Sequence, residues 1–170
     1  METTFNKLYD QYHVDLYQYV YYMVKNKQLA EDIVQDVYIK VLKSYNNFRG
    51  ESSEKTWLFS IARYTTIDYF RKQQRQKNKL ASFFNKEQDF SRIKDQDPLP
   101  EEVVQLNDDM QQIYRLLDHC TLDQKNVLIL RFLQSLSIHE TAEILEWSES
   151  KVKTTQHRAI KKLQAMIDED

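Results

Sequence analysis

Near the C-terminus, Ser150, Lys151, Lys153, Thr154, His157, Arg158 and Lys161 are spaced to set hydrogen-bond donors and positive charge along one side of a helix. Val152, Ala159, Leu163 and Met166 recur on the opposite side at helical spacing. From Lys151 to Lys162 there are five Lys or Arg residues and no Asp or Glu. Residues 101–170 as a whole carry eight basic and thirteen acidic side chains, so the acids are excluded from this one helix. Donors of this kind on a protruding helix suit phosphates and base edges in a major groove.

A second stretch mixes aromatic rings with cations. Trp57 to Lys72, WLFSIARYTTIDYFRK, holds Arg63, Arg71 and Lys72, and the basic residues continue at Arg75, Lys77 and Lys79. Rings on which bases stack, beside cations that track phosphates, suit single-stranded nucleic acid. The same spacing also suits a core in which Trp57, Phe59 and Phe70 are simply buried. A third stretch, Ala30 to Lys43, buries one face and turns Glu31, Asp32, Gln35, Asp36, Ile39 and Lys40 outward. Ile39 among acids and an amide hints at a protein partner.

Catalytic chemistry is not supported. His139 and Glu143 in HETAE stand at i, i+4, yet the zinc pattern HExxH needs a second His where Glu143 lies. One glycine in 170 residues excludes a glycine-rich phosphate loop. The expectation is a protein without catalysis, metal or cofactor. Cys120, the only cysteine, excludes an internal disulfide, fits a reducing compartment and reads as a small buried residue at a helix end. No signal pattern and no membrane-length apolar run occurs, so the expected location is the cytoplasm.

The elements that position these groups must be helices. One Gly and two Pro leave little material for hairpins, and Gln, Lys, Glu and Leu are helix formers. The net charge of −2 gives no bulk attraction to nucleic acid, so DNA binding must come from local patches and be salt-sensitive. The pattern predicts an all-α chain of two small helical domains joined by a flexible linker, the second domain a helix-turn-helix. Residues 1–79 read as three helices. Phe5, Leu8, Tyr12, Leu16, Tyr19 and Met23 face inward on the first, and Ile33, Val34, Val37, Val41 and Leu42 on the second, from about Gln28 to Tyr45. Trp57, Leu58, Ile61, Ala62, Thr65 and Tyr69 face inward on the third, which begins near Ser53. Gly50 marks a loop that needs backbone freedom.

Residues 80–100 turn polar and end in Pro98 and Pro100, a linker that at full stretch reaches roughly 70 Å. From Glu101 a second helical domain follows, with Val104, Leu106, Met110, Ile113 and Leu117 as an apolar series. Thr121 with Gln124, and Ser137 with Glu140, have capping-box spacing; the first opens the helix of Val127, Leu128, Leu130 and Leu133. Ser148 supplies a fresh N-cap after Glu146 and Trp147.

Three stretches in this order, AEDIVQDVYIKVLK, KTWLFSIARYTTIDYFRK and QKNVLILRFLQSLSIHETAEILEWSESKVKTTQHRAIKKLQ, resemble the extracytoplasmic-function sigma factors, the compact branch of the sigma-70 family. The resemblance implies a two-domain initiation subunit: a region 2-like domain over 1–79, a linker over 80–100 and a region 4-like domain over 101–170. It implies that Glu31, Asp32, Gln35, Asp36, Ile39 and Lys40 face core RNA polymerase, on the clamp helices of β′, with further contact to β. It also implies that the loop and helix over 48–72 melt the minus-ten promoter element and hold a flipped base. The residues carried over are Arg49, Ser52, Ser53, Trp57, Arg63, Tyr64, Asp68, Arg71 and Lys72. The basic helix would read the minus-thirty-five element. An anti-sigma factor as partner and a monomeric free state are further implications.

Three positions depart from the family pattern. Glu146 stands where Gly is frequent, Ser150 and Lys151 replace a common Gly-Thr, and Tyr64 stands where Asn is frequent. A left-handed turn built on Glu146 costs roughly 1–2 kcal/mol. The rival readings are a helix-turn-helix repressor whose N-terminal domain dimerises or senses a ligand, and a protein-binding adaptor. The repressor predicts tight binding of free DNA at a palindrome.

Overall fold

In a computed structural model, residues 2–83 and 108–169 are described, and every regular element among them is helical. The N-terminal half packs α1 (Glu2–Val24), α2 (Lys27–Ser44) and α3 (Glu54–Phe83) against one another. The turn between α1 and α2 is closed by Lys25 in the left-handed region, φ 55°, its N–H donating to Tyr21 O at 2.7 Å. Asn26 then caps α2 by accepting from the Leu29 N–H. The inward stripes form as the spacing predicts: Leu8, Leu16, Tyr19 and Met23 meet Ile33, Val37 and Val41 over Leu58 and Ala62. Phe5, Tyr12, Trp57, Ile61 and Tyr69 pack as a half-buried rim.

The C-terminal half runs α4 (Asp108–Leu116), a 3-10 turn (Leu117–His119), α5 (Leu122–Leu128), a π turn (Ile129–Leu133), α6 (Ile138–Leu145) and α7 (Glu149–Asp168). Both predicted capping boxes, Thr121–Gln124 and Ser137–Glu140, are formed in full. The helix expected to carry Val127 through Leu133 is instead split after Leu128 by the π turn. That turn lets the Leu136 N–H reach back to Leu130 O at 3.0 Å, with Ser135 in the left-handed region at φ 56°. Cys120 follows the 3-10 turn half-buried, and burial pushes its thiol up, against what a redox-sensing thiolate needs.

Several expectations are corrected. Leu42 is not inward but 47% exposed, because Val41 takes the inward position and the next residue turns about 100° away. Ile113 is likewise exposed, while its neighbour Tyr114 is buried in its place. The third helix runs on to Phe83, past the expected boundary at residue 79. Most of the 80–100 linker, with Val104 and Leu106, lies outside the described residues, as does the side chain of Met110.

The two halves are packed together: α3 lies along α6, α1 touches the π turn, and one apolar cluster runs through both halves. It continues from Tyr19 and Phe59 to Leu117, Ile129, Leu130, Ile144 and Leu145, all at or near zero exposure. Small helical units bury too little surface to be robust alone, so a shared core adds stability to both.

Candidate nucleic-acid interface

The helix-turn-helix is built by hydrogen bonds within its own turn. Glu146 closes α6 in the left-handed region, φ 59°, and the Trp147 N–H reaches back to Ala142 O at 3.0 Å. Ser148 caps α7 by accepting from the Lys151 N–H at 3.1 Å. The Lys151 ammonium lies 4.1 Å from the centroid of the Trp147 ring. Val152 and Ala159 are fully buried, which fixes the rotation of α7; Leu163 packs half-buried against the core and Met166 is half-buried.

That rotation leaves Ser150, Lys151, Lys153, Thr154, His157, Arg158 and Lys161 all exposed. Gln156, which the sequence did not single out, is half-buried behind them. Its Oε1 accepts from Arg131 Nε at 2.9 Å, and Arg131 Nη1 donates to Leu136 O at 2.6 Å. Arg131 thus ties α7 to the π turn. The candidate metal pair is a contact between two side chains at the surface, His139 Nε2 to Glu143 Oε1 at 3.0 Å. Among the described residues no cluster of three or more His, Cys, Asp or Glu could hold a metal.

The second surface centres on Trp57. Its ring packs at 4.8 Å on Phe48 and edge-on at 6.0 Å on Tyr45. Asn47, Phe48, Arg49, Glu51, Ser52 and Trp57 line an open cleft of about 360 Å³. Gly50 sits in its loop at φ 73°, where a side chain is disfavoured by backbone strain although its Cβ would meet nothing within 4 Å. Ser53 has a local duty: its Oγ accepts from the Thr56 N–H at 3.1 Å and so starts α3. Asn47, Phe48 and Glu51 were absent from the expected set, although the run FRGESS and its lone glycine marked this loop.

Along α3 the expected residues divide. Tyr64 is 61% exposed, and Arg71 and Lys72 are exposed, with Lys72 paired to Asp68 at 3.3 Å. Arg63 is half-buried, and its Nε is enclosed without an acceptor. It lies near Tyr19, whose hydroxyl burial pushes far above its ordinary range, with Arg63 partly offsetting the rise. Phe59 is core, as the plain reading of that aromatic allowed.

On α2, Glu31, Asp32, Gln35, Asp36 and Ile39 are exposed as expected. Exposed Leu42 extends the Ile39 stripe by three residues, so two apolar side chains sit among acids on that face. Lys40 departs from the set. Its Nζ donates to Thr65 Oγ1 at 3.1 Å and lies 5.5 Å from the Tyr64 ring, tying α2 to α3.

Comparison with known proteins matches these two halves to two family models: Sigma-70 region 2 over residues 8–76 and Sigma-70 region 4 over residues 110–163. The chain is 54% identical to the ECF RNA polymerase sigma factor SigX of Bacillus subtilis, covering 99% of this chain and 86% of that protein. It is 36% identical to the RNA polymerase sigma factor YlaC of the same organism, covering 89% and 85%. Two solved structures share the fold. One is the sigma factor RpoE of Bartonella quintana in complex with the anti-sigma factor NepR, with TM-score 0.75 at 22% identity, covering 98% of each chain. The other is CnrH in complex with the cytosolic domain of CnrY, with TM-score 0.73 at 19% identity, covering 100% of this chain and 91% of that one.

Proposed function

The chain belongs to the extracytoplasmic-function branch of the sigma-70 family, and from that premise we propose how its surfaces divide the work of promoter recognition. As an RNA polymerase sigma factor it directs transcription initiation through core polymerase and promoter DNA, not as a repressor. The outer face of α2, with Asp32, Gln35, Asp36, Ile39 and the added Leu42, docks on the β′ clamp helices. Lys40 braces that helix from behind. The Trp57 cleft takes an unstacked base of the minus-ten element, with Arg49 and Ser52 at its rim and Tyr64, Arg71 and Lys72 following the strand. Unstacking a base costs a few kcal/mol, and stacking at about 1–3 kcal/mol per base offsets it. The exposed face of α7 reads the minus-thirty-five element, with Lys153 and Arg158 on phosphates.

One observation carries this reading: an aromatic, loop-lined cleft and a basic helix without an acid from Lys151 to Lys162 stand on separate halves of a chain of net charge −2. Neither surface alone makes a strong DNA binder at net charge −2. A region 2-like domain that runs to the end of α3 at Phe83, a region 4-like domain over 101–170, a cytoplasmic site, a monomeric free state and an anti-sigma partner belong to the same proposal. RpoE, which shares the fold, is bound to such a factor. No helix among the described residues is long and apolar enough to cross a membrane.

Reconstituted transcription tests it. Core polymerase with this chain should initiate at promoters where core alone does not, and permanganate should find unpaired thymines in the minus-ten region. Initiation no different from core alone would overturn the assignment of these surfaces.

A further inference from the structure

We propose that the exposed ring of Tyr64 is a second stacking platform for the melted strand, apart from the Trp57 cleft, and that Lys40 is the positioning residue that holds it. The platform's ligand rests on the sigma-factor reading of α3; the pairing of the two side chains follows from the contacts alone.

Lys40 stands on α2 between exposed Ile39 and buried Val41, and its side chain reaches across to α3. Its Nζ donates to Thr65 Oγ1 at 3.1 Å, and that hydroxyl in turn donates to Ile61 O at 2.8 Å. Thr65 is 6% exposed, with its proton committed to the backbone carbonyl, so its oxygen is left to accept from the ammonium. A lysine stem has many rotamers, and this anchor fixes where its charge comes to rest. That place is over the Tyr64 ring, 5.5 Å from the centroid. A cation at this distance is attracted to the negative face of the ring and restrains it in turn.

Tyr64 is 61% exposed, and with one ring face toward the ammonium the opposite face is the one a base can stack on. Its place along the helix suits that use. Trp57, Tyr64 and Arg71 recur every seven residues and so lie on one side of α3. Each is about 10 Å from the next, two helical turns. A strand following that side meets the cleft, then the Tyr64 ring, then exposed Arg71 and Lys72. Asp68, the acid between them, is paired with Lys72 at 3.3 Å. Rings set in line with cations are what an unpaired strand stacks on and tracks.

The test uses the full chain with core polymerase and a fork-junction DNA, unpaired in the non-template minus-ten strand, from a promoter at which the holoenzyme initiates. Tyr64→Ala should weaken fork binding about tenfold. Lys40→Ala should weaken it about fivefold, and Lys40→Arg, which keeps a cation over the ring, should recover most of that loss. Lys40→Ala combined with Tyr64→Ala should be no weaker than Tyr64→Ala alone, because the two side chains act as one unit. Thr65→Val changes no charge and should weaken binding about threefold by releasing the ammonium. Core polymerase affinity should be unchanged throughout. A 2-aminopurine base moved along the unpaired strand should be quenched at one position that depends on Trp57 and at a second that depends on Tyr64 and Lys40. In the free chain, 3-fluorotyrosine in place of Tyr64 should shift its fluorine resonance on Lys40→Ala and on Thr65→Val. Additive losses, a core-binding defect in Lys40→Ala, no second quenched position, or an unmoved fluorine resonance would each overturn the proposal. If the resonance moves in both variants yet no promoter is served, the pairing of Lys40 with Tyr64 stands and the sigma reading of α3 fails.

Discussion

The hydroxyl of Tyr19 on α1 donates to Oδ1 of Asn126 on α5 at 2.6 Å, joining residues 107 positions apart inside a common core. Tyr19→Phe keeps the ring contact with Phe59 at 5.6 Å but leaves a buried amide oxygen without a donor. The expected loss is about 1–3 kcal/mol. Adding Asn126→Leu should recover part of it, since removing both partners is cheaper than removing one. Urea unfolding of the two single variants and the double variant measures the coupling, and strict additivity would disprove it.

Glu146 holds φ 59° at the end of α6, a conformation glycine adopts without cost. Glu146→Gly should therefore stabilise the chain by about 1 kcal/mol, visible as a rise of a few degrees in Tm. The cap hydrogen bonds are made by backbone atoms, so nothing in the turn is lost.

Trp57 is half-buried between the Phe48 and Tyr45 rings and forms one wall of the cleft. Trp57→Ala should slow promoter melting by about 5- to 150-fold, the loss of roughly 1–3 kcal/mol of base stacking. Binding of core polymerase should be unchanged, because the α2 face is separate. Permanganate footprinting beside a polymerase-binding assay distinguishes the two effects.

The helices, both capping boxes and the outward face of α7 were legible because each follows from local spacing or from a hydrogen bond spanning three residues. Ser137 and Glu140 need no knowledge of the rest of the fold to find each other. What lay beyond reach was tertiary. Arg63 read as a cation on a nucleic-acid face, yet its Nε is enclosed near Tyr19. Lys40 read as part of a partner face and is spent on Thr65. Leu42 was misplaced because adjacent apolar residues on a helix cannot both face one neighbour, and spacing alone does not say which yields. The cleft residues Phe48 and Asn47 escaped because a loop carries no periodicity.

The capping box of α6 also predicts a pH dependence. The Ser137 N–H, donating to Glu140 Oε1 at 3.0 Å, holds the carboxyl below its ordinary range, with burial opposing and Lys55 and His139 assisting. A carboxyl with a lowered folded pKa contributes stability that is fully present above the unfolded value, about 4.3. That contribution is lost as pH falls through the folded value. Stability measured between about pH 5 and 3 should thus fall less steeply in Glu140→Gln, which keeps the cap geometry without the titration. Parallel slopes for the two proteins would refute it.

Lys153 and Arg158 are exposed on the helix whose rotation is fixed by buried Val152 and Ala159, so both can lose their side chains without disturbing the core. Each phosphate contact removed should lower the slope of log affinity against log salt by about 0.9. Lys153→Ala with Arg158→Ala should therefore weaken holoenzyme binding to promoter DNA most at low salt, by a slope change of about 2, across all minus-thirty-five sequences alike. Arg131→Ala acts differently. It removes no exposed charge from α7 but releases Gln156 and the π turn, so affinity should fall with the salt slope nearly unchanged and discrimination among minus-thirty-five sequences reduced. Arg131→Lys cannot supply both the Nε and Nη1 bonds and should restore little. Promoter titrations at several salt concentrations separate the two behaviours. A slope change in Arg131→Ala as large as in the double variant would mean that Arg131 touches DNA itself instead of positioning the helix that does.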